Sequence, residues 1–292
     1  MTSGSSLSVV VPAFNEENYI GACLEALLLQ AGDIDEIIVV DNNSTDRTVE
    51  IVERIAARNP IVRLVRETTA GAVHARNAGF DAAQGEILGR IDADTRVESG
   101  WARAVLDFFQ RADTTAVAAV TGLSNSYDSP YRSLKGWYIR RLVDTGALGG
   151  EQRIRNLHGA NMALRKSVWE RVGRSTSTDP DVHEDADLAL CICDCGLEIA
   201  QLSQMRADVS PRRALTPPRE FGHYLRAGVT TLERHNAMTS RYRRLLRLHW
   251  FTHLGAYLAY RPYDPDRHRF TLRRLIFGGP ARTMPVTATV RG

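Results

Sequence analysis

Apolar and polar positions alternate in blocks along the first 120 residues, and the blocks change period. Leu7–Val11 is a short β-branched run that Pro12 ends. From Tyr19 to Gln30 the apolar residues fall three and four apart, the spacing of a helix. Glu36–Val40 predicts a second buried strand, and Ser44 or Thr45 a cap for a helix running to about Arg58. Val62–Val65 follows as a strand, then an alanine-rich helix over Gly71–Ala83, a strand at Ile87–Ile91, a helix over about Gly100–Gln110 and a strand at Ala116–Val120. Strand–helix alternation of this kind predicts an α/β fold with a mostly parallel central sheet and helices on both faces.

The pattern loosens between Ser124 and Leu157, with glycines at 136, 146, 149 and 150 and aromatics including Trp137. This stretch reads equally as an acceptor-binding flap or a surface connection. Order returns at His158–Leu164 and in a helix from Lys166. A polar loop over Arg174–Val182 then leads to His183-Glu184-Asp185, which opens a helix running to Cys195 with Gly196 as its stop. Phe221–Tyr260 reads as two or three helices, and residues 281–292 as a flexible tail. The expected division is a domain over 1–215, with halves at about 1–122 and 123–215, and a basic helical extension over 216–292.

Composition narrows the classes. In 292 residues, 43% hydrophobic, no apolar stretch approaches the ~20 residues that span a bilayer, and the start lacks the regions of a signal peptide. The expected location is cytoplasmic. Cys191, Cys193 and Cys195 alternate within one helical segment, so three thiolates would not converge on a zinc ion. The net charge of +3 conceals a division: residues 1–211 carry 21 basic and 30 acidic side chains, whereas 212–292 carry 16 arginines and 4 acids. A basic C-terminal part seeks an anionic partner, which is a membrane, a phosphorylated acceptor or the acidic remainder of the molecule.

In a parallel sheet the ligand sits at the carboxyl ends of the strands. Pro12-Ala13-Phe14-Asn15-Glu16, Asp41-Asn42-Asn43-Ser44 and Asp92-Ala93-Asp94 all fall there. Two carboxylates two positions apart at a strand exit point the same way, so they either share a hard divalent cation or cap a polar turn. No glycine-rich dinucleotide or P-loop motif accompanies them. Glu184 and Asp185 also suit an ordinary helix start, where acids favour the dipole.

Taken together, Ser8–Glu16, Ile38–Asp46, Ala75-Arg76-Asn77-Ala78-Gly79, Asp92-Ala93-Asp94, Gly159–Ala163 and Glu184-Asp185 resemble, in order and spacing, the family 2 glycosyltransferases of GT-A fold. The resemblance covers roughly residues 6–213. It implies transfer of a sugar from a nucleotide diphosphate, UDP more than GDP, to an acceptor hydroxyl with inversion, dependent on Mn²⁺ or Mg²⁺. By the resemblance, Pro12, Ala13, Phe14, Glu16, Asp41, Arg76, Asp92, Ala93 and Asp94 bind the nucleotide sugar, and Asp94 with Asp92 holds the metal. Asp185 is the general base. Asn161, Glu184 and Trp137 face acceptor or donor sugar, and Arg212 or Arg213 the diphosphate.

Two other classes compete. A nucleotidyltransferase usually brings a glycine-rich basic loop after the first strand, and Pro12–Glu16 contains neither glycine nor a basic residue. A non-catalytic nucleotide-binding scaffold acting through the basic tail would not need Asp92, Asp94 and Asp185. Arg241–Phe251 mixes basic and apolar positions, as in helices that lie on anionic membranes, pack on a core or form a dimer contact. The acceptor remains open as a small molecule, a glycan or a polyprenyl phosphate. Nucleic acid is not an expected partner, because no binding motif occurs.

Overall fold

The computed structural model describes residues 5–145, 150–264, 267 and 269–277. Gly146, Gly149 and the expected tail over 281–292 lie outside these. The chain packs as two compact units. The first comprises Met1–Asn125, Ile139–Thr178 and Glu184–Val209, and the second Ser126–Tyr138, Asp179–His183 and Ser210–Gly292.

The first unit begins as the periodicity predicts. β1 (Leu7–Ala13), α1 (Ile20–Leu28), β2 (Glu36–Asp41), α2 (Thr48–Ala56), β3 (Val62–Arg66), α3 (Ala72–Ala82) and β4 (Ile87–Arg90) follow in order. After them come β5 (Thr95–Val97), α4 (Trp101–Gln110) and β6 (Val117–Ser126). β1 and β2 are almost wholly apolar because both faces are covered. Val9, Val11, Ile37 and Val39 pack with Ile20, Leu24, Trp101 and Phe109 on one face. Val10, Ile38 and Val40 pack with Phe80, Leu164, Trp169 and Leu188 on the other.

The segment from Ser124 to Leu157 is more regular than expected, with α5 (Arg132–Asp144) and β7 (Glu151–Ile154) in it. Then come β8 (Met162–Arg165), α6 (Lys166–Val172), α7 (Glu184–Asp194) and β9 (Glu198–Val209). The strands form one large sheet in the order β3-β2-β1-β4-β8-β6-β9-β5, with β7 also paired to β9. Its direction is mixed. β1 is parallel to β2 and β4, and β2 to β3, whereas β8 is antiparallel to β4 and β6, and β9 to β5 and β7. Parallel order persists while helices cross back between strands, and it ends where the chain returns to β4 without such a crossover.

The expected cap of α2 also differs. Asp46, not Ser44 or Thr45, accepts the Thr48 N–H at 2.9 Å. Ser44 Oγ accepts the Asn15 N–H at 3.0 Å, and the Thr45 N–H donates to Asn15 Oδ1 at 2.8 Å, so this polar run ties two loops together.

In the second unit, α8 (Pro218–Arg234) and α9 (Ser240–Tyr260) are the main elements, followed by the two-stranded β10 (Tyr263–Asp264) and β11 (Arg269–Phe270) and by α10 (Leu272–Phe277). Its anchor is aromatic: the His253 ring stacks on Phe221 with centroids 3.6 Å apart, and its Nε2–H donates to the Thr216 carbonyl at 2.9 Å. Among the described residues no helix is long and apolar enough to cross a membrane.

Candidate functional site

The sheet order reverses between β1 and β4, since the chain winds outward to β3 and then returns to the other side of β1. Such a switch point opens a crevice at the carboxyl ends of the strands. Register sets what lines it. Ala13 pairs with Asp41, and Val10 with Arg90, so the Pro12–Glu16 loop, Asp41 and Asp92–Asp94 leave the sheet at the same edge. Asp41 and Ala93 are buried, Pro12 and Glu16 half-buried and Phe14 exposed. The loops are laced together: the Glu16 N–H donates to Thr48 Oγ1 at 2.8 Å, and Asp41 Oδ1 accepts the Ser44 N–H at 3.3 Å. Asn42, to which the sequence assigned no role of its own, donates to the carbonyls of Glu67 and Thr69 and accepts the Gly71 N–H, fixing the entry to α3.

The turn after β4 closes through the Asp92 carbonyl, which accepts the Thr95 N–H at 2.9 Å, so this bond leaves the Asp92 carboxylate out of the turn. Asp94 is 7% exposed. Beneath lies Cys23, whose thiol burial pushes up and whose proton the field of Asp94, Asp92 and Glu16 holds further. That field marks a concentration of oxygen anions, the hard donor set that suits Mn²⁺ or Mg²⁺ rather than a thiophilic metal. Asp92 Oδ1 is engaged by Arg90 Nη2 at 2.9 Å.

Arg90 is the residue that sequence reasoning missed. It sits inside a buried strand and is 4% exposed. Its Nη2 bridges Asp92 and Glu184 Oε1, the latter at 3.0 Å. Burial opposes its charge, but Glu184, Asp92 and Asp185 outweigh that and hold it above the ordinary arginine value. Gly159 makes the room: a Cβ there would stand 1.6 Å from Arg90 Nη1. A charge inside an apolar strand was the signal, because a buried guanidinium needs carboxylate partners.

Arg76 does different work from that implied by the resemblance. It is wholly buried, it ion-pairs with Glu184 Oε2 at 3.2 Å, and it donates to the Glu184 carbonyl and to Asn77 Oδ1. Its guanidinium thus clamps Glu184 within the protein. Glu184 in turn has both carboxylate oxygens held by arginines, which does not suit free contact with a sugar. Burial raises its pKa against the pull of Arg90 and Arg76, and Asp185 and Asp92 add to the rise.

Asn161 is turned inward as well. Its side chain is fully buried, accepts the Trp101 Nε1–H at 2.8 Å and donates to the carbonyls of Leu123 and Met205. It joins α4, β6 and β9 and has no face toward a sugar. Asp185, by contrast, is half-buried at the mouth of α7. Its Oδ2 accepts the Gly159 N–H at 3.1 Å and its Oδ1 the Ala186 N–H at 2.8 Å, which fixes the carboxylate.

The other expected residues belong to the second unit. Trp137 is exposed on α5. Arg213 stacks over the Tyr224 ring at 5.1 Å and donates to its hydroxyl at 3.1 Å, while Arg212 donates its N–H to Ser210 Oγ. His183 is a structural residue: its N–H donates to Thr231 Oγ1 and its Nε2 bonds the Tyr224 carbonyl at 2.7 Å.

Known proteins resemble the chain in sequence and in fold. An uncharacterised glycosyltransferase, YibD, of Escherichia coli (strain K12) is 39% identical over 97 residues, which is 33% of this chain and 28% of that protein. The match thus spans less than a third of that relative's length. The mannosyltransferase PcManGT from Pyrobaculum calidifontis, solved with GDP-Man and Mn²⁺, superposes with a TM-score of 0.58 at 21% identity, covering 99% of this chain and 79% of that one. Glucosyl-3-phosphoglycerate synthase from Mycobacterium tuberculosis, solved with Mn²⁺, UDP and glucosyl-3-phosphoglycerate, gives 0.55 at 19% identity over 82% of each chain. At these identities the structures show a shared fold. The profile described as Glycosyl transferase family 2 matches residues 8–173, more than half of the chain, and the chain therefore belongs to that family.

Proposed function

We propose that the chain transfers a glycosyl group from a nucleotide diphosphate sugar, UDP-linked, to an acceptor hydroxyl with inversion. The observation that carries this reading is Asp185, a half-buried carboxylate oriented by two backbone amides at the edge of the Arg90–Glu184–Asp92 network. In a single displacement the acceptor oxygen attacks the anomeric carbon opposite the diphosphate. The bond from that carbon to the phosphate oxygen breaks with its electron pair on the leaving group. The acceptor proton passes to Asp185, a role open to a positioned carboxylate. Asp94, with Asp92, would hold Mn²⁺ or Mg²⁺, which supplies positive charge against the diphosphate. Pro12–Glu16 and Asp41 would cradle the nucleotide.

In this reading residues 1–215 carry the transfer. The basic residues 216–292 meet an anionic membrane surface from the cytoplasmic side, which favours a lipid-linked acceptor. The relatives solved with UDP and with GDP-Man, both with Mn²⁺, support a nucleotide-sugar donor without choosing between the two bases.

The test is a separation of binding from chemistry. A saturating donor with Mn²⁺, at 100 times its Kd, should raise unfolding stability by about 2.7 kcal/mol, and UDP-sugars should do so better than GDP-sugars. Asp185→Asn should keep that protection and lower transfer by about 10²–10⁴-fold. Loss of donor protection with an unchanged chemical step would remove Asp185 from this role. Protection that persists in excess EDTA would remove the metal.

A further inference from the structure

Within the second unit, α8 and α9 enclose an open groove of about 300 Å³, at the low end of the range for small-molecule clefts. Leu225, Val229, Leu246 and Trp250 form its apolar lining, and Arg226, Arg243 and Arg247 stand along it. Arg243 pairs with Glu233 at 3.1 Å. Arg226 and Arg247 are exposed and have no carboxylate partner among the described residues. α9 contains no acidic residue at all, and beside the groove it exposes Leu245, Leu248 and Phe251. An apolar trough flanked by unneutralised guanidinium groups is complementary to one chemistry, a hydrocarbon chain bearing a phosphate.

We propose that this groove binds a single anionic phospholipid from a bilayer, with its phosphate on Arg226 and Arg247 and part of one acyl chain along Leu225, Val229, Leu246 and Trp250. This rests on the membrane reading above and narrows it from a charged surface to a built site. The two contributions differ in kind. Each basic residue near an anionic surface strengthens binding about fivefold and is weakened by salt. Each methylene buried strengthens it about fourfold and is not.

Gly222 lines the groove as well, and a Cβ built on it meets nothing closer than Arg226 Nη1 at 3.9 Å. Gly222→Leu therefore fills the trough, keeps every charge and favours the helix it stands in. Co-sedimentation of the full chain with phosphatidylglycerol/phosphatidylcholine vesicles, and with phosphatidylcholine alone, is the measurement. Wild type should bind only the anionic vesicles. Arg226→Gln with Arg247→Gln should weaken that by about thirtyfold, and Gly222→Leu by about tenfold with unchanged helicity. Wild-type affinity in Gly222→Leu would overturn the groove while leaving a charge-driven membrane contact intact. Failure of wild type to bind anionic vesicles would overturn both. A concentration-dependent dimer that forms without lipid and is lost in Gly222→Leu would assign the groove to a second copy and overturn the lipid. Protection by the nucleotide sugar, read in the same samples, reports separately on the transferase site.

Discussion

The two units handle charge in opposite ways. In the first, Arg76 and Arg90 are buried, share the two oxygens of Glu184, and place Asp92 in the same network. In the second, Arg241, Arg243, Arg244 and Arg247 ride on the exposed surface of α9, whose one buried residue is His253. A buried network is a set of mutual obligations: each charge is tolerable only because the others are present, and removing one leaves the rest without a counter-charge. Surface charges act nearly independently and are screened by salt. Substitutions should therefore be costly and coupled in the first unit, and mild and additive in the second.

The sharpest way to break this contrast is Arg90→Leu. It leaves Asp92 and one oxygen of Glu184 without their cation, and should lower stability by about 3–5 kcal/mol in denaturant unfolding. Arg90→Lys should not restore it, because one ammonium cannot reproduce the shared guanidinium geometry. A loss below about 1 kcal/mol, the scale of an exposed pair, would mean the network is not mutually supporting. Next in size is Trp101→Phe, which keeps the ring packing but orphans Asn161 Oδ1. The expected cost is about 1–3 kcal/mol, and a neutral result would show that Asn161 turns to another donor.

The second unit should respond to pH instead. Burial lowers the His253 pKa, against a smaller upward pull from the Thr216 hydrogen bond, and burial with His253 and Arg213 lowers that of His249. Both groups take up protons more readily when unfolded. Their contribution to stability is thus present above the ordinary value of 6.5 and is lost as pH falls below it toward the folded values. Amide-exchange protection of α8 and α9, corrected for intrinsic rates, should drop between pH 7.5 and 5.5; constant protection would contradict it. The smallest effect is expected from Arg241→Gln with Arg244→Gln, which should change stability by no more than about 0.5 kcal/mol. A larger change would place those arginines in internal packing and erase the contrast.

The same contrast explains what could be read from sequence. β1, β2 and their helices were legible because both sheet faces are covered there and the apolar runs are nearly unbroken. β5 and β7 span only three or four residues each, and β7 alternates exposed and half-buried positions, so no apolar run marks them. Asp41, Asp92, Asp94 and Asp185 stood out because acids at element ends are conspicuous. What sequence could not supply was direction: Asn161, Glu184 and Arg76 were expected to face a ligand, and their side chains are engaged inward. Only tertiary pairing decides that, since the partners of Arg76 and Asn161 come from segments as far as 108 and 60 positions away.

The space that Gly159 leaves for Arg90 carries a consequence for how this chain can diverge. Because a single methyl at 159 would stand 1.6 Å from Arg90 Nη1, any residue other than glycine there requires the guanidinium to shift from its place between Asp92 and Glu184. Losing Arg90 instead leaves Asp92 and one oxygen of Glu184 without their cation. Neither order passes through a well-formed intermediate. The two positions, 69 residues apart in the chain, should therefore be inherited as a pair, and descendants that abandon one will have had to rebuild the whole charge cluster.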